Sequence, residues 1–341
     1  MKARFFYSPL EFKRPAGTSR GVLNIKHSWI LEIEKNGVVG TGECSIIPDL
    51  SPDYQSNDQY EAVLKNVCSQ IQSGELTFEN ASQLLKDFPS LLFGVECAFL
   101  DLQNGGHKIY FDNDFSKGNQ KIPINGLIWM GDEVFMQEQI EQKLAAGFTT
   151  IKMKIGAIDF DTEYRLLKSI RQQFDQQTIT LRVDANGAFS PQEAKNVLEL
   201  LAQLDIHSIE QPIKAGQWQV MRELCNSAPT PIALDEELIG INEKQQKIEL
   251  LTSIQPQFII LKPSLHGGIS GTKEWIQLAE EQNIAWWMTS ALESNIGLKA
   301  ICELTAEYNN QLPQGLGTGS LYVKNHETSL IVEQGMIYWK S

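Results

Sequence analysis

Five ionisable residues recur along the second half of the chain in a fixed order of sign: Lys154, Asp184, Glu210, Asp235 and Lys262, with 25 to 30 residues between successive members. Each closes a short apolar run, so each reads as the last polar residue of a strand. An interval of that size is one strand plus one helix plus two turns, which puts the five at one height on neighbouring strands. Three carboxylates brought to one point repel each other unless a cation neutralises them. With only oxygen donors in the set, a hard ion is indicated: Mg²⁺, with Mn²⁺ also possible. Neither histidine nor cysteine joins the trio, which argues against zinc.

The two lysines suggest the reaction class. A cationic centre with a lysine on either side suits removal of a proton beside a carboxylate, the resulting anion being held by the neighbouring positive charge. The run Thr149-Thr150-Ile151-Lys152-Met153-Lys154-Ile155-Gly156 supplies a third lysine. Strand side chains alternate, so Lys152 and Lys154 share one face, opposite Ile151, Met153 and Ile155. The plainer reading of this run alone is a half-exposed strand with a solvated lysine face. Nearby positive charge lowers a lysine pKa, which is the expected route to a usable base. Any one of the acids could simply cap the helix that follows it, but five in register are not explained that way.

The elements that must carry these residues follow from the hydrophobic pattern. After about residue 121, short apolar strands alternate with amphipathic helices. Strands are expected at 122–127, 150–154, 180–184, 208–210, 232–235, 258–262 and 285–289, with a weak one near Gly315. Helices are expected at 161–174, 191–204, 243–251, 272–282 and 298–307. Such alternation means parallel strands with right-handed crossovers, and seven or eight units fit a closed (β/α) barrel better than an open sheet. A dinucleotide fold is not supported: no strand leads into G-x-G-x-x-G, Gly315-Leu-Gly-Thr-Gly319 has the wrong spacing, and there is no P-loop.

Ahead of the barrel, 2–9, 24–34 and 38–44 read as strands, with Lys35-Asn36-Gly37 as a hairpin turn. Residues 60–71, a piece from Thr77, and 91–102 read as helices. Arg14 to Gly21 reads as a glycine-bearing polar loop of the kind that serves as a lid. The expected organisation is α/β: an α+β capping domain (1–110), a (β/α) barrel catalytic domain (121–320), and a tail (321–341) that returns to the cap.

The 341 residues are 42% hydrophobic, enough for two cores, and the net charge of −13 disfavours nucleic acid and anionic membranes. No apolar run reaches membrane-spanning length and the N-terminus lacks the apolar core of a signal peptide. Five scattered cysteines without a C-x-x-C form no disulfide or zinc framework. The expectation is a cytoplasmic enzyme.

Lys152-Met-Lys154, Val183-Asp184-Ala-Asn186-Gly187, Ile209-Glu210-Gln211-Pro212, Leu234-Asp235-Glu236 and Leu261-Lys262-Pro263-Ser264 together resemble the motifs of the enolase superfamily, in the branch related to muconate lactonising enzyme. The resemblance covers nearly the whole chain and implies a modified TIM barrel of the enolase type. It also implies Mg²⁺ on Asp184, Glu210 and Asp235, Lys154 and Lys262 facing each other across the substrate, Lys152 assisting, and Asn186 supporting the metal site.

Within that branch, Gly17-Thr18-Ser19-Arg20-Gly21, Ile124 to Leu127, Thr289 to Gly297 and Leu316 to Gly319 resemble a group of dehydratases in menaquinone synthesis. Such a dehydratase converts 2-succinyl-6-hydroxy-2,4-cyclohexadiene-1-carboxylate to 2-succinylbenzoate. This implies a small anionic carboxylate substrate, with Ser19, Arg20, Asn186, Ser290, Ser294, Gly317 and Thr318 as its contacts. The alternative within the superfamily is an epimerase or racemase of dipeptides or N-acylamino acids. A metal-binding barrel without catalysis is disfavoured, because an acid–base lysine pair has no use in mere binding.

Overall fold

A computed structural model describes residues 1–18 and 21–340. Ser19 and Arg20, two of the expected substrate contacts, lie outside the described residues. The chain begins with an antiparallel sheet of β1 (Lys2–Tyr7), β2 (Leu10–Thr18), β3 (Gly21–Lys35) and β4 (Val38–Ile46), followed by the helices α1 (Asn57–Ser73), α2 (Ala81–Leu84) and α3 (Pro89–Gln103). The long β3 pairs with all three other strands. Its turn into β4 is the expected one: Asn36 and Gly37 both take positive φ, 54° and 82°, as a tight hairpin requires. α3 packs so closely on β4 that a Cβ on Gly42 would lie 1.9 Å from the Gly94 carbonyl oxygen.

The expected loop at 14–21 is different in the structure. Leu10–Thr18 is a strand that pairs with β3 through Ala16, Gly17 and Thr18, after a shift of register between Glu11 and Ala16. Pro15 falls within that irregular stretch, on an edge strand where its missing N–H breaks no ladder. A polar, proline-bearing edge strand carries no alternation by which it could be told from a loop.

The second part of the chain runs β5 (Lys121–Pro123), β6 (Gly126–Ile128), α4 (Glu133–Ala145), β7 (Thr150–Lys154), α5 (Phe160–Gln173), β8 (Thr180–Asp184), α6 (Pro191–Ala202), β9 (Ser208–Glu210), α7 (Trp218–Ser227), β10 (Ile232–Leu234), α8 (Lys244–Ile254), β11 (Phe258–Leu261), α9 (Gly268–Glu281), β12 (Ala285–Met288) and α10 (Asn295–Ala306). β6 to β12 form one parallel sheet in chain order. Two further parallel bridges, Thr289 with Gly315 and Ile124 with Gln314, close it into a ring. The helices start where the sequence offers caps: Asp132 for α4, Asp159 for α5, and for α6 a capping box between Ser190 and Glu193. The apolar faces of strands and helices meet in one continuous core that includes Ile151, Met153 and Ile155.

The single strand expected at 122–127 is two. Lys121–Pro123 leaves the ring and pairs antiparallel with β14 (Met336–Trp339), which in turn pairs with β13 (Leu330–Glu333). A tail distant in sequence captures half of an otherwise uniform apolar run. The start of the tail also meets the N-terminal sheet, where Phe12 bridges to Tyr322 and Val323 donates to the Glu11 carbonyl.

Candidate active site

The register of the ring sets the site. Lys154 lies beside Asp184 on β8, and Asp184 lies beside Glu210 on β9. Asp235 and Lys262 follow β10 and β11 by one residue, so the five stand around one end of the barrel, the C-terminal ends of its strands. The solvated lysine face is not found: Lys152 is 5% exposed and Lys154 9%. Their strand is buried on both faces, the aliphatic side against the helices and the lysine side against the carboxylates.

The ionised groups form a chain of alternating sign. Lys154 Nζ donates to Asp184 Oδ2 at 3.1 Å. Lys152 Nζ lies 3.2 Å from the same oxygen and 2.5 Å from Glu210 Oε2. Lys262 Nζ lies 3.8 Å from Glu210 Oε1 and donates to Asp235 Oδ2. Among the described residues, no three His, Cys, Asp or Glu side chains are already gathered as a cation cage, because the lysines bridge the carboxylates. Yet Glu210 Oε1 and Asp235 Oδ1 are buried and receive no hydrogen bond. Two buried, unsatisfied carboxylate oxygens in an all-oxygen donor set fit a hard divalent cation.

The electrostatics follow from this chain. Burial pushes the Asp184 carboxyl up, but Lys152, Lys154 and Lys262 outweigh it and hold it well below the usual range. Burial likewise opposes ionisation of Asp235, and Lys262 holds it low. Glu210 goes the other way: burial, reinforced by Asp184, pushes it well up. Burial works against the ammonium of Lys152, and Asp184 and Glu210 override it, so the group sits above the ordinary lysine range. Lys262 is raised in the same way, against burial, chiefly by Asp235. The expected mutual depression of the lysines is therefore corrected for these two, whose nearest neighbours are carboxylates.

Supporting residues hold this chain in place. Asn186, in the left-handed region at φ 44°, accepts from Lys154 Nζ at 2.7 Å and donates to Glu236 at 3.0 Å. Gln211 is fully buried at φ 40°; its Oε1 accepts from the backbone of Asp235 and Glu237, and its Nε2 donates to Ile213 O and Glu237. His266 accepts the Lys262 backbone N–H on Nδ1 at 3.0 Å, and burial lowers its pKa to about 3, so the ring is neutral.

Part of this chain opens into a cavity of about 970 Å³; Glu210 and Asp235 stand behind its lining residues. Lys152, Lys154, Asp184, Asn186, Lys262, Ser290, Gly317 and Thr318 all line it. Ser290 and Thr318 share a hydrogen bond of 2.7 Å. Ser294 does not line it, and its expected contact with substrate is corrected. It is the N-cap of α10, accepting from Ile296 N while its hydroxyl and N–H donate to Glu43. The sequence pattern for a helix start was present there, ahead of Asn295. Sequence reasoning also missed Trp129, which lines the cavity with its ring centroid 5.9 Å from Lys154 Nζ. Its signal was the alternation Leu127, Trp129 past the expected strand end.

Residues 135–338 match the family model described as enolase C-terminal domain-like. The o-succinylbenzoate synthase of Desulfotalea psychrophila is 46% identical across 99% of this chain and 98% of its own length. The crystal structure of MenC from Desulfotalea psychrophila LSv54 superposes with a TM-score of 0.88 at 42% identity, covering 99% of both chains. The L-Ala-D/L-Glu epimerase of Bacillus subtilis shares the fold, with a TM-score of 0.83 at 21% identity over 100% of this chain and 97% of that one. By its sequence over almost its full length and by its fold, the chain belongs to the o-succinylbenzoate synthase family of the enolase superfamily.

Proposed function

We propose that this site dehydrates 2-succinyl-6-hydroxy-2,4-cyclohexadiene-1-carboxylate to 2-succinylbenzoate, a step in menaquinone synthesis. The observation that carries the reading is the placement of Lys154 and Lys262 on one cavity, with Asp184, Lys152 and Glu210 between them in the alternating chain and Asp235 bonded to Lys262 beyond. Asp184, Glu210 and Asp235 would hold Mg²⁺, or Mn²⁺ in its place. Bound there, the ion supplies positive charge to the substrate's ring carboxylate as its α-proton becomes acidic.

The chain's own residues do the rest. Lys154, as the free amine, removes the ring proton beside the carboxylate, and the electron pair of that C–H bond moves into the carboxylate. Lys262 holds its charge against the anion. The electrons then return to the ring, the C–O bond to the ring hydroxyl breaks, and the Lys154 ammonium gives its proton to the departing oxygen. One water leaves and the ring becomes aromatic. Asn186 orients Lys154 for both transfers, Lys152 helps to keep Asp184 charged, and Gln211 and His266 fix the backbone on which Asp235 and Lys262 stand.

The eighth-strand end favours this reading over dipeptide epimerisation. Gly315, Gly317, Thr318, Gly319 and Ser320 line the cavity there and present no carboxylate for a substrate ammonium. Ser290 and Thr318 offer hydroxyls to an anionic succinyl arm. We place the reaction in the cytoplasm, in keeping with five free, buried cysteines; among the described residues no helix is long and apolar enough to cross a membrane. The test is an assay with the cyclohexadiene, following the aromatic product with Mg²⁺ and with EDTA. Metal-dependent turnover is expected. Turnover of a dipeptide at equal or higher kcat/KM would overturn the assignment.

A further inference from the structure

Trp129 stands one residue past β6. The register sets Leu127 beside Lys152, so Trp129 continues the same face beside Lys154. Its backbone is clamped by one side chain: Gln139 Oε1 accepts from Trp129 N at 2.9 Å and Gln139 Nε2 donates to Trp129 O at 3.0 Å. With both backbone groups closed on a single amide, the residue has little freedom to swing. The indole is backed by the apolar cluster of Leu10, Phe12, Leu292 and Tyr322, where the N-terminal sheet meets the barrel, and is only partly buried, its remaining surface being part of the cavity wall.

We propose that Trp129 is a specificity-determining residue, the rigid wall on which the flat conjugated ring of the substrate rests beside Lys154. This rests on the dehydration reading above. A clamped, backed indole offers a π-face at little entropic cost, and such faces favour offset stacking with planar rings. The diene and its benzenoid product present a flat face. An N-acylamino acid presents none, so the wall selects between two substrates that the same lysines could deprotonate.

The experiment compares the wild type with Trp129→Leu and Trp129→Phe, and uses Trp129→Met if the leucine variant does not fold. Calorimetry measures binding of 2-succinylbenzoate and of its saturated counterpart, 2-succinylcyclohexane-1-carboxylate. Kinetics measure dehydration and N-succinylamino acid racemisation on the same preparations. Trp129→Leu is expected to bind the aromatic ligand roughly tenfold more weakly. It should bind the saturated one unchanged, and raise KM for dehydration more than it lowers kcat, without loss of any racemisation. Trp129→Phe is expected to recover most of the aromatic affinity. Equal losses for both ligands, or no loss for either, overturn the wall while wild-type dehydration keeps the parent reading intact. A wild type that does not dehydrate the diene overturns the parent reading instead.

Discussion

Glu43 and Glu210 are both fully enclosed carboxylates, and the molecule surrounds them in opposite ways. Glu43, on the N-terminal sheet, is saturated. Its Oε1 accepts from the Ser28 hydroxyl and Ser294 N, and its Oε2 from the Ser294 hydroxyl and Gly297 N, at the start of α10. Glu96 of α3 does the same for α9, accepting from Ile269 N and Ser270 N. In both, an acid from the N-terminal layer meets the positive end of a barrel helix, which fixes one layer on the other. Glu210, by contrast, is bridged by lysines and keeps one oxygen without a donor. A buried acid whose oxygens are all taken by hydroxyl and backbone N–H donors holds architecture together. One left short of donors, with lysine ammonium groups beside it, can take another cation at its open oxygen.

That contrast can be broken from either side. The largest effect is expected at Lys154: Lys154→Ala should lower turnover by on the order of a thousandfold, with circular dichroism and Tm close to the wild type. A variant keeping more than a few per cent of the rate would remove Lys154 from its proposed role. Next is Glu210→Gln, which leaves volume unchanged and removes one charge. Turnover should drop about a hundredfold and Mg²⁺ affinity, read by titration calorimetry, at least about tenfold. Unchanged Mg²⁺ binding would put the ion elsewhere.

The smallest effect belongs to the saturated group. Burial, only partly offset by the Ser270 and Ile269 hydrogen bonds, raises the Glu96 carboxyl from 4.5 to about 7. The folded chain therefore holds a proton that the unfolded chain has lost between those values, and stability falls as pH rises through that window. From pH 5 to pH 8 the wild type should lose a few degrees of Tm relative to Glu96→Gln, with kcat the same in both. A Glu96→Gln variant whose Tm follows pH as the wild type does contradicts the assignment.

The sequence made the ring of five legible because β-strands impose a period of two on side chains and the barrel imposes a near-constant interval on its units. Lys152 and Lys154, with Ile151 and Met153 opposite, needed no distant partner to be placed. What was hidden depends on partners remote in the chain. Residues 121–123 are claimed by β14, more than two hundred positions later. Ser294 looked like a free hydroxyl until Glu43, on another layer, took it up. Trp129 lay past the end of the expected strand, and only Gln139 and the inter-layer cluster give it a fixed place.

The ring is closed at residues 314–315 by isolated bridges instead of a full ladder. The segment that follows, Gly317 to Ser320, lies against the cavity and outside any named strand. Its side chains can change over generations without disturbing the register that aligns Lys154, Asp184 and Glu210. Selection can thus exchange the far end of the substrate while the proton-handling end is inherited intact, and a lineage can move from one carboxylate to another by drift along a single seam.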